Sequence, residues 1–195
     1  RQLDAGLVRA DDPPLVRLGR ERALPLQDAA KRAFDVCGAL LGLVVFAPLL
    51  LWCFFRIRAT SPGPALFFQD RVGRDGRIFR MVKFRTMRAD ADPEAVAPTG
   101  HGDPRVTAYG RWLRATSIDE LPQLWNVLRG EMSLVGPRPE MPFIVAGYDE
   151  WQRRRLCVKP GITGLWQILG RKALPMHRNL QYDFYYIRNR SLALD

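Results

Sequence analysis

Residues 31–58 read KRAFDVCGALLGLVVFAPLLLWCFFRIR, and the reading of this run decides the fold. No charge interrupts the 20 residues from Val36 to Phe55, a length that in one helix just spans the hydrocarbon core of a bilayer. The alternative is a buried core helix. A helix apolar on every side would leave a large exposed patch on so small a soluble domain, which argues for lipid. Charged sequence precedes the run and no A-x-A site ends it, so a cleaved signal peptide does not fit. Lys31 and Arg32 lie before it, Arg56 and Arg58 after it, and cation bias therefore gives no orientation. Pro48 removes an amide donor and clashes with the carbonyl of Val44. A helix broken there, entering and leaving one leaflet, accounts for both facts; a simple kinked span is the alternative.

Working outward, residues 1–30 are charged and proline-bearing without sustained periodicity and read as a linker or the tail of an upstream region. A start at Arg1 rather than Met points to a piece of something longer. On the other side, residues 59–195 read as one domain of catalytic size. Its 64–87 stretch, PALFFQDRVGRDGRIFRMVKFRTM, holds two apolar runs around Asp75-Gly76, a favoured hairpin turn. The second strand is expected to carry Arg80, Lys83 and Arg85 toward the domain. Residues 89–104 read as a loop, and VTAYGRWLRAT, QLWNVLRGEM, YDEWQRRRLCV and MHRNLQYDFYYIRNRS as helices, with KPGITG as a turn. The expected fold class is helix-rich α+β: a small β-hairpin plus several amphipathic helices behind an N-terminal re-entrant (helix-break-helix) membrane segment.

The net charge of +10 calls for an anionic partner: nucleic acid, an acidic membrane surface or a phosphorylated substrate. Three cysteines without a CxxC pair fit a reducing compartment, and two distant histidines exclude an ordinary zinc site. Within this basic chain, Asp119 and Glu120 stand together just before a helical apolar pattern. A bland account makes Ser117 and Glu120 a capping box. Pro122 opposes it, because it would forfeit a helix bond unless the helix starts at or after Asp119. Asp119 then lies at a positive helix end, where it stays ionised and where phosphate binds. An ionised Asp at a phosphate site is a candidate nucleophile, and Glu120 beside it a candidate Mg²⁺ ligand. Arg138 is fixed between Pro137 and Pro139; Arg111 and Arg114 share a helix face; Lys83 and Arg85 come from the strand. A solvated surface cation is the ordinary account of each alone. Together they fit a pyrophosphate site with a metal.

With these residues in place, KRAFD, SPGPALFFQDRVGRDGRIFRMVKFRTM, SIDELPQLWNVLRGEMSLVGPRPE, KPGITGLWQILGR and YDFYYIRNRSLALD closely resemble the bacterial sugar transferase family, the monotopic polyprenyl-phosphate phosphoglycosyl transferases. The resemblance runs from about Lys31 to the end. It implies transfer of a sugar 1-phosphate from a UDP-sugar to polyprenyl (undecaprenyl) phosphate with release of UMP, the first membrane step of surface polysaccharide or glycoconjugate synthesis. It further implies Asp119 as the nucleophile, through a phosphoryl-Asp intermediate, and Glu120 as the Mg²⁺-associated carboxylate. Lys83, Arg114, Arg138 and Arg171 match positions linked to phosphate or nucleotide-sugar contacts, and Asp183 and Asp195 match acidic positions of the C-terminal motif. Ala47 stands where the family often has Ser. The implied location is the bacterial inner membrane with the catalytic domain on the cytoplasmic face; membrane lipid is a partner and a homodimer is allowed. Two other classes compete. A membrane-tethered nucleic-acid module suits the charge but gives Asp119 and Glu120 no purpose, so no nucleic acid is expected. A non-catalytic scaffold leaves the same pair and Arg138 unexplained. Within the enzyme class, direct attack by the lipid phosphate with Asp119 as a base is the alternative.

Overall fold

The computed structural model describes residues 25–92, 103–170 and 180–195. The apolar run forms two helices, α1 (Pro25–Val45) and α2 (Ala47–Thr60), that meet at Phe46 with a bend of 61°. Helix α1 begins at Pro25, six residues ahead of the expected membrane segment at Lys31; the rest of the expected linker lies outside the described residues. Pro48 does not interrupt a helix. It occupies the first turn of α2, where a missing amide costs nothing, while Phe46 N still reaches Gly42 O at 2.9 Å. No single helix among the described residues is long and apolar enough to cross a membrane, whereas the bent pair passes that test together.

Each half of the pair has two faces. Asp35, Gly38, Ala39 and Gly42 form a close-packing stripe on α1: a Cβ on Gly38 would stand 2.6 Å from Leu134 Cδ1, and one on Gly42 3.0 Å from Leu124 Cδ1. Buried Asp35 accepts from Lys31 Nζ, Ser133 Oγ and Leu134 N at 3.0–3.1 Å, three donors converging on its Oδ1 inside an apolar helix. Arg32 donates to Val127 O and Leu128 O. On the outward side Leu41, Val44 and Phe55 remain 65%, 72% and 65% exposed, with Leu40, Val45, Leu51 and Trp52 beside them. An apolar face of this extent on a helix pair is suited to lipid.

Strands β1 (Leu66–Val72) and β2 (Ile78–Phe84) pair antiparallel from Leu66↔Phe84 to Val72↔Ile78. Asp75 and Gly76 both take positive φ, as a type I′ turn requires, and Arg77 N closes the turn on Arg74 O. The expected hairpin is therefore present. Its period of two places Phe67, Gln69 and Arg71 with Lys83 on the inner face, whereas Arg80 is exposed over the Phe68 ring, contrary to the expectation that it turns inward.

The helices α3 (Ala108–Thr116), α4 (Leu124–Arg129) and α7 (Leu180–Asn189) fall within the expected stretches, α4 stopping where Gly130 turns left-handed. Between them lie β3 (Ser133–Val135), α5 (Pro142–Ala146), α6 (Glu150–Arg153) and β4 (Gly161–Thr163). The 148–158 stretch is not one helix: α6 gives way to a 3-10 turn, Arg154–Cys157. KPGITG is not merely a turn, since β4 pairs parallel with β3. Residues 93–102 of the expected loop and the start of the last expected helix lie outside the described residues. Two apolar clusters join the bent pair to the domain. Ala39 packs with Phe79, Met81, Leu124, Val127 and Met132, and Cys53 and Ile57 pack with Ala65, Phe84 and Leu113. The architecture is helix-rich α+β with a two-stranded hairpin, as the pattern implies, plus a second small sheet it does not announce.

Candidate active site

Thr107 caps α3 by accepting from Gly110 N at 2.9 Å, and the helix ends where Ser117 turns left-handed at φ 58°. A non-glycine residue there is uncommon and marks a backbone held by its surroundings. The turn redirects the chain into the 3-10 segment Ile118–Gln123, whose first turn holds Asp119 and Glu120 and whose second contains Pro122. The α-helix itself starts only at Leu124. A capping box is excluded: Ser117 N donates to Arg114 O, and Glu120 Oε1 turns instead to Arg138 Nη2 at 2.7 Å.

Strand β2 lies against this segment. Buried Asn126 locks the arrangement by accepting from Val82 N and donating to Arg80 O, so α4 extends the edge of the hairpin as another strand would. Lys83 thereby faces the acidic pair. Asp119 is 8% exposed, and burial first, then the neighbouring Glu120, raises its pKa to about 6, against the pull of Lys83, Arg114 and Arg138. The sequence argument expected a helix end to keep this group ionised; removal from water raises its pKa instead, yet a value of about 6 still leaves the carboxylate mostly ionised at neutral pH. Burial also lowers Lys83 to about 8, helped by Arg71 and Arg138 and opposed by Asp119.

Arg71 belongs to the same group and was not anticipated. Its guanidinium is buried, donates to Gln69 Oε1 at 2.7 Å and lies 3.9 Å from Glu140. Its pKa falls to about 10 through burial and the nearby Arg138 charge. The signal was available: in FFQDRVG, Arg71 falls on the inward positions of the period-two pattern, where an arginine needs a reason. Arg71, Lys83, Arg114 and Arg138 thus surround Asp119, Glu120 and Glu140. Burial first, and then neighbouring guanidinium charge, lowers both Arg71 and Lys83, and an added anion relieves that crowding.

The other expected residues are placed differently. Arg114 Nε donates to Thr86 Oγ1 at 2.8 Å on the site side of α3, whereas Arg111 lies on its exposed side and reaches Val106 O. The Arg85 guanidinium serves the loop after α2, donating to Ser61 O and Oγ and to Pro62 O. Asp183 is buried against Arg155 at 2.7 Å. Asp195 accepts from Tyr186 and pairs with Lys31. Arg171 lies outside the described residues. Trp112, Trp125 and Trp151 are exposed, while Trp166 is half-buried. A cavity of about 110 Å³ sits away from this group, between the start of α1 and the end of α7.

No cluster of three or more metal-ligating side chains occurs among the described residues. One or two carboxylate oxygen donors completed by phosphate and water are nevertheless what Mg²⁺ uses, and Asp119 with Glu120 matches that donor set.

The model of the bacterial sugar transferase family matches residues 26–195. The UDP-N-acetylgalactosamine-undecaprenyl-phosphate N-acetylgalactosaminephosphotransferase of Aeromonas hydrophila is 39% identical over 97% of this chain and 46% of its own length. The undecaprenyl-phosphate galactose phosphotransferase of Salmonella typhimurium is 35% identical over 98% of this chain and 43% of its own. For the UDP-glucose:undecaprenyl-phosphate glucose-1-phosphate transferase of Caulobacter vibrioides the figures are 44%, 86% and 66%. The chain therefore spans less than half the length of the first two. With a basic, carboxylate-centred site built from the matched segment, this chain belongs to the bacterial sugar transferase family.

Proposed function

We propose that this chain transfers sugar 1-phosphate from a UDP-sugar to polyprenyl phosphate, releasing UMP, through a phosphoryl-Asp intermediate. The observation that carries the reading is buried Asp119, beside Glu120, among Arg71, Lys83, Arg114 and Arg138. An Asp119 oxygen attacks the sugar-proximal phosphorus, the bond to the bridging oxygen breaks, and UMP leaves with the electron pair. A phosphate oxygen of the polyprenyl acceptor then attacks the same phosphorus, and Asp119 leaves as carboxylate. Arg138, fixed on Glu120, and Lys83 stand where charge develops on the transferred group. Mg²⁺ held by Glu120 together with substrate phosphates would neutralise charge on the diphosphate. The bent pair seats in the cytoplasmic leaflet of the inner membrane as a re-entrant segment, where the acceptor resides. The names of the relatives support these substrate classes.

The test is a trap. Incubated with UDP-glucose, UDP-galactose or UDP-N-acetylgalactosamine and no lipid acceptor, the protein accumulates an adduct of sugar-phosphate mass on Asp119, read by peptide mass spectrometry. Normal turnover with lipid but no adduct would instead leave Asp119 as a base.

A pH dependence follows from the same groups. The attacking carboxylate must be ionised, so kcat/KM for the UDP-sugar falls about tenfold per pH unit below about 6. Above about 8 it falls again as Lys83 loses its charge. In Lys83→Met the rate is lower and the alkaline limb disappears; an alkaline limb that survives the substitution belongs to another group.

A further inference from the structure

Arg138 sits on a strap, residues 136–139, in which two prolines flank it and the backbone is bonded at every position. Gly136 N donates to Thr163 O and Gly161 N to Pro137 O, both at 2.9 Å, so β4 holds the near end. At the far end two buried arginines grip the chain. Arg155 Nη2 donates to Arg138 O at 2.8 Å, and Arg71 Nη1 donates to Pro139 O at 3.2 Å. Arg155 is itself fully engaged: Nε donates to Asp183 Oδ2 at 2.9 Å and Nη1 to Tyr148 Oη at 3.0 Å. It is 2% exposed and Asp183 is 4% exposed.

Burying an ion pair is a poor way to gain stability, because the desolvation cost consumes most of the attraction. What such a pair does well is fix geometry. A guanidinium presents a rigid planar fork, and here its three nitrogens tie α7, Tyr148 ahead of α6 and the Arg138 carbonyl together. The carbonyl so held belongs to the residue whose own side chain meets Glu120 at 2.7 Å.

We infer that Arg155, oriented by Asp183, is a positioning residue that sets Arg138 against Glu120, with Arg71 steadying the other side of the same strap. Asp183 acts on the chemistry through Arg155 and Arg138 and not as a substrate ligand. The inference rests on the reading of Asp119, Glu120 and Arg138 as the reacting site.

A double-mutant cycle tests it, with UMP release from whichever of UDP-glucose, UDP-galactose and UDP-N-acetylgalactosamine the wild type accepts, undecaprenyl phosphate in detergent as acceptor, and adduct formation on Asp119 where turnover is slow. Arg155→Lys keeps the charge and loses the fork; it lowers kcat about 10- to 100-fold, as expected for a shift of a catalytic group by a fraction of a bond length or more. Asp183→Ala does the same, and Asp183→Asn, which keeps an acceptor for Arg155 Nε, loses less. In an Arg138→Ala background the same substitutions change the rate by less than about twofold, because the group they position is gone. Should Arg155→Lys fail to fold, the two Asp183 variants carry the comparison. Equal losses in both backgrounds overturn the inference and leave the proposed reaction standing. A wild type that forms neither UMP nor adduct overturns the reaction, and the inference with it.

Discussion

Asp119→Asn lowers turnover by about 10⁴-fold or more and forms no adduct, because an amide cannot form the acyl phosphate. The same change raises thermal stability at neutral pH. The sign follows from linkage. In the folded protein the pKa of Asp119 stands near 6, above the ordinary value of 3.8, so the fold disfavours its ionised form. That cost is absent below the unfolded pKa, grows as pH rises through the window between the two values, and is complete above about 6. The neutral amide removes it. The variant should therefore melt higher than wild type near pH 7.5 and lose that advantage near pH 4. A variant that is inactive and also less stable at neutral pH would mean that Asp119 holds the surrounding cations together and is not a strained nucleophile.

Glu120→Gln keeps the fold and costs about 10²- to 10³-fold in rate, the scale of losing one charge-stabilising group in a site of this kind. Two effects add. The carboxylate that Arg138 grips becomes a neutral amide, and the oxygen donor proposed for Mg²⁺ loses its charge. The Mg²⁺ concentration giving half-maximal rate rises accordingly, which a titration reads directly. Near-normal activity with unaltered Mg²⁺ dependence would remove Glu120 from the site.

Local signals were readable where chain-neighbour chemistry decides structure. Asp75-Gly76 takes the two positive φ angles that its residue types favour, and the conflict between a capping box and Pro122 rightly moved the helix start to Asp119 or later, although Pro122 falls in a 3-10 segment and the α-helix starts only at Leu124. The break in the apolar run was legible too, although it falls at Phe46 and Pro48 starts the next helix instead of ending the last one. The parallel pairing of β3 with β4 was not legible, because three-residue strands 28 residues apart, Ser133↔Gly161, carry no period to detect. Nor was the interruption of the 148–158 helix, where Arg155 leaves the α path to reach Asp183 and the Arg138 carbonyl. Arg155 escaped because an arginine in a basic chain looks like a surface cation until its burial is known, whereas Arg71 could have been found from its inward position in the strand pattern. Arg85 and Arg111 show the converse, matching the expected pattern while Arg85 bonds to the loop after α2 and Arg111 to the backbone just ahead of α3.

In the proposed reaction, the apolar outer face of the bent helix pair would also govern how the protein finds its acceptor. Held in one leaflet by that face, it would share a two-dimensional phase with a polyprenyl substrate that never dissolves. The quantity that matters is then acceptors per unit area, not moles per litre, and confinement raises the effective concentration without any new contact between protein and lipid. The soluble sugar donor would arrive by three-dimensional diffusion and the lipid by lateral search. Crowding of the leaflet by other lipids would throttle the second half-reaction while leaving the first untouched.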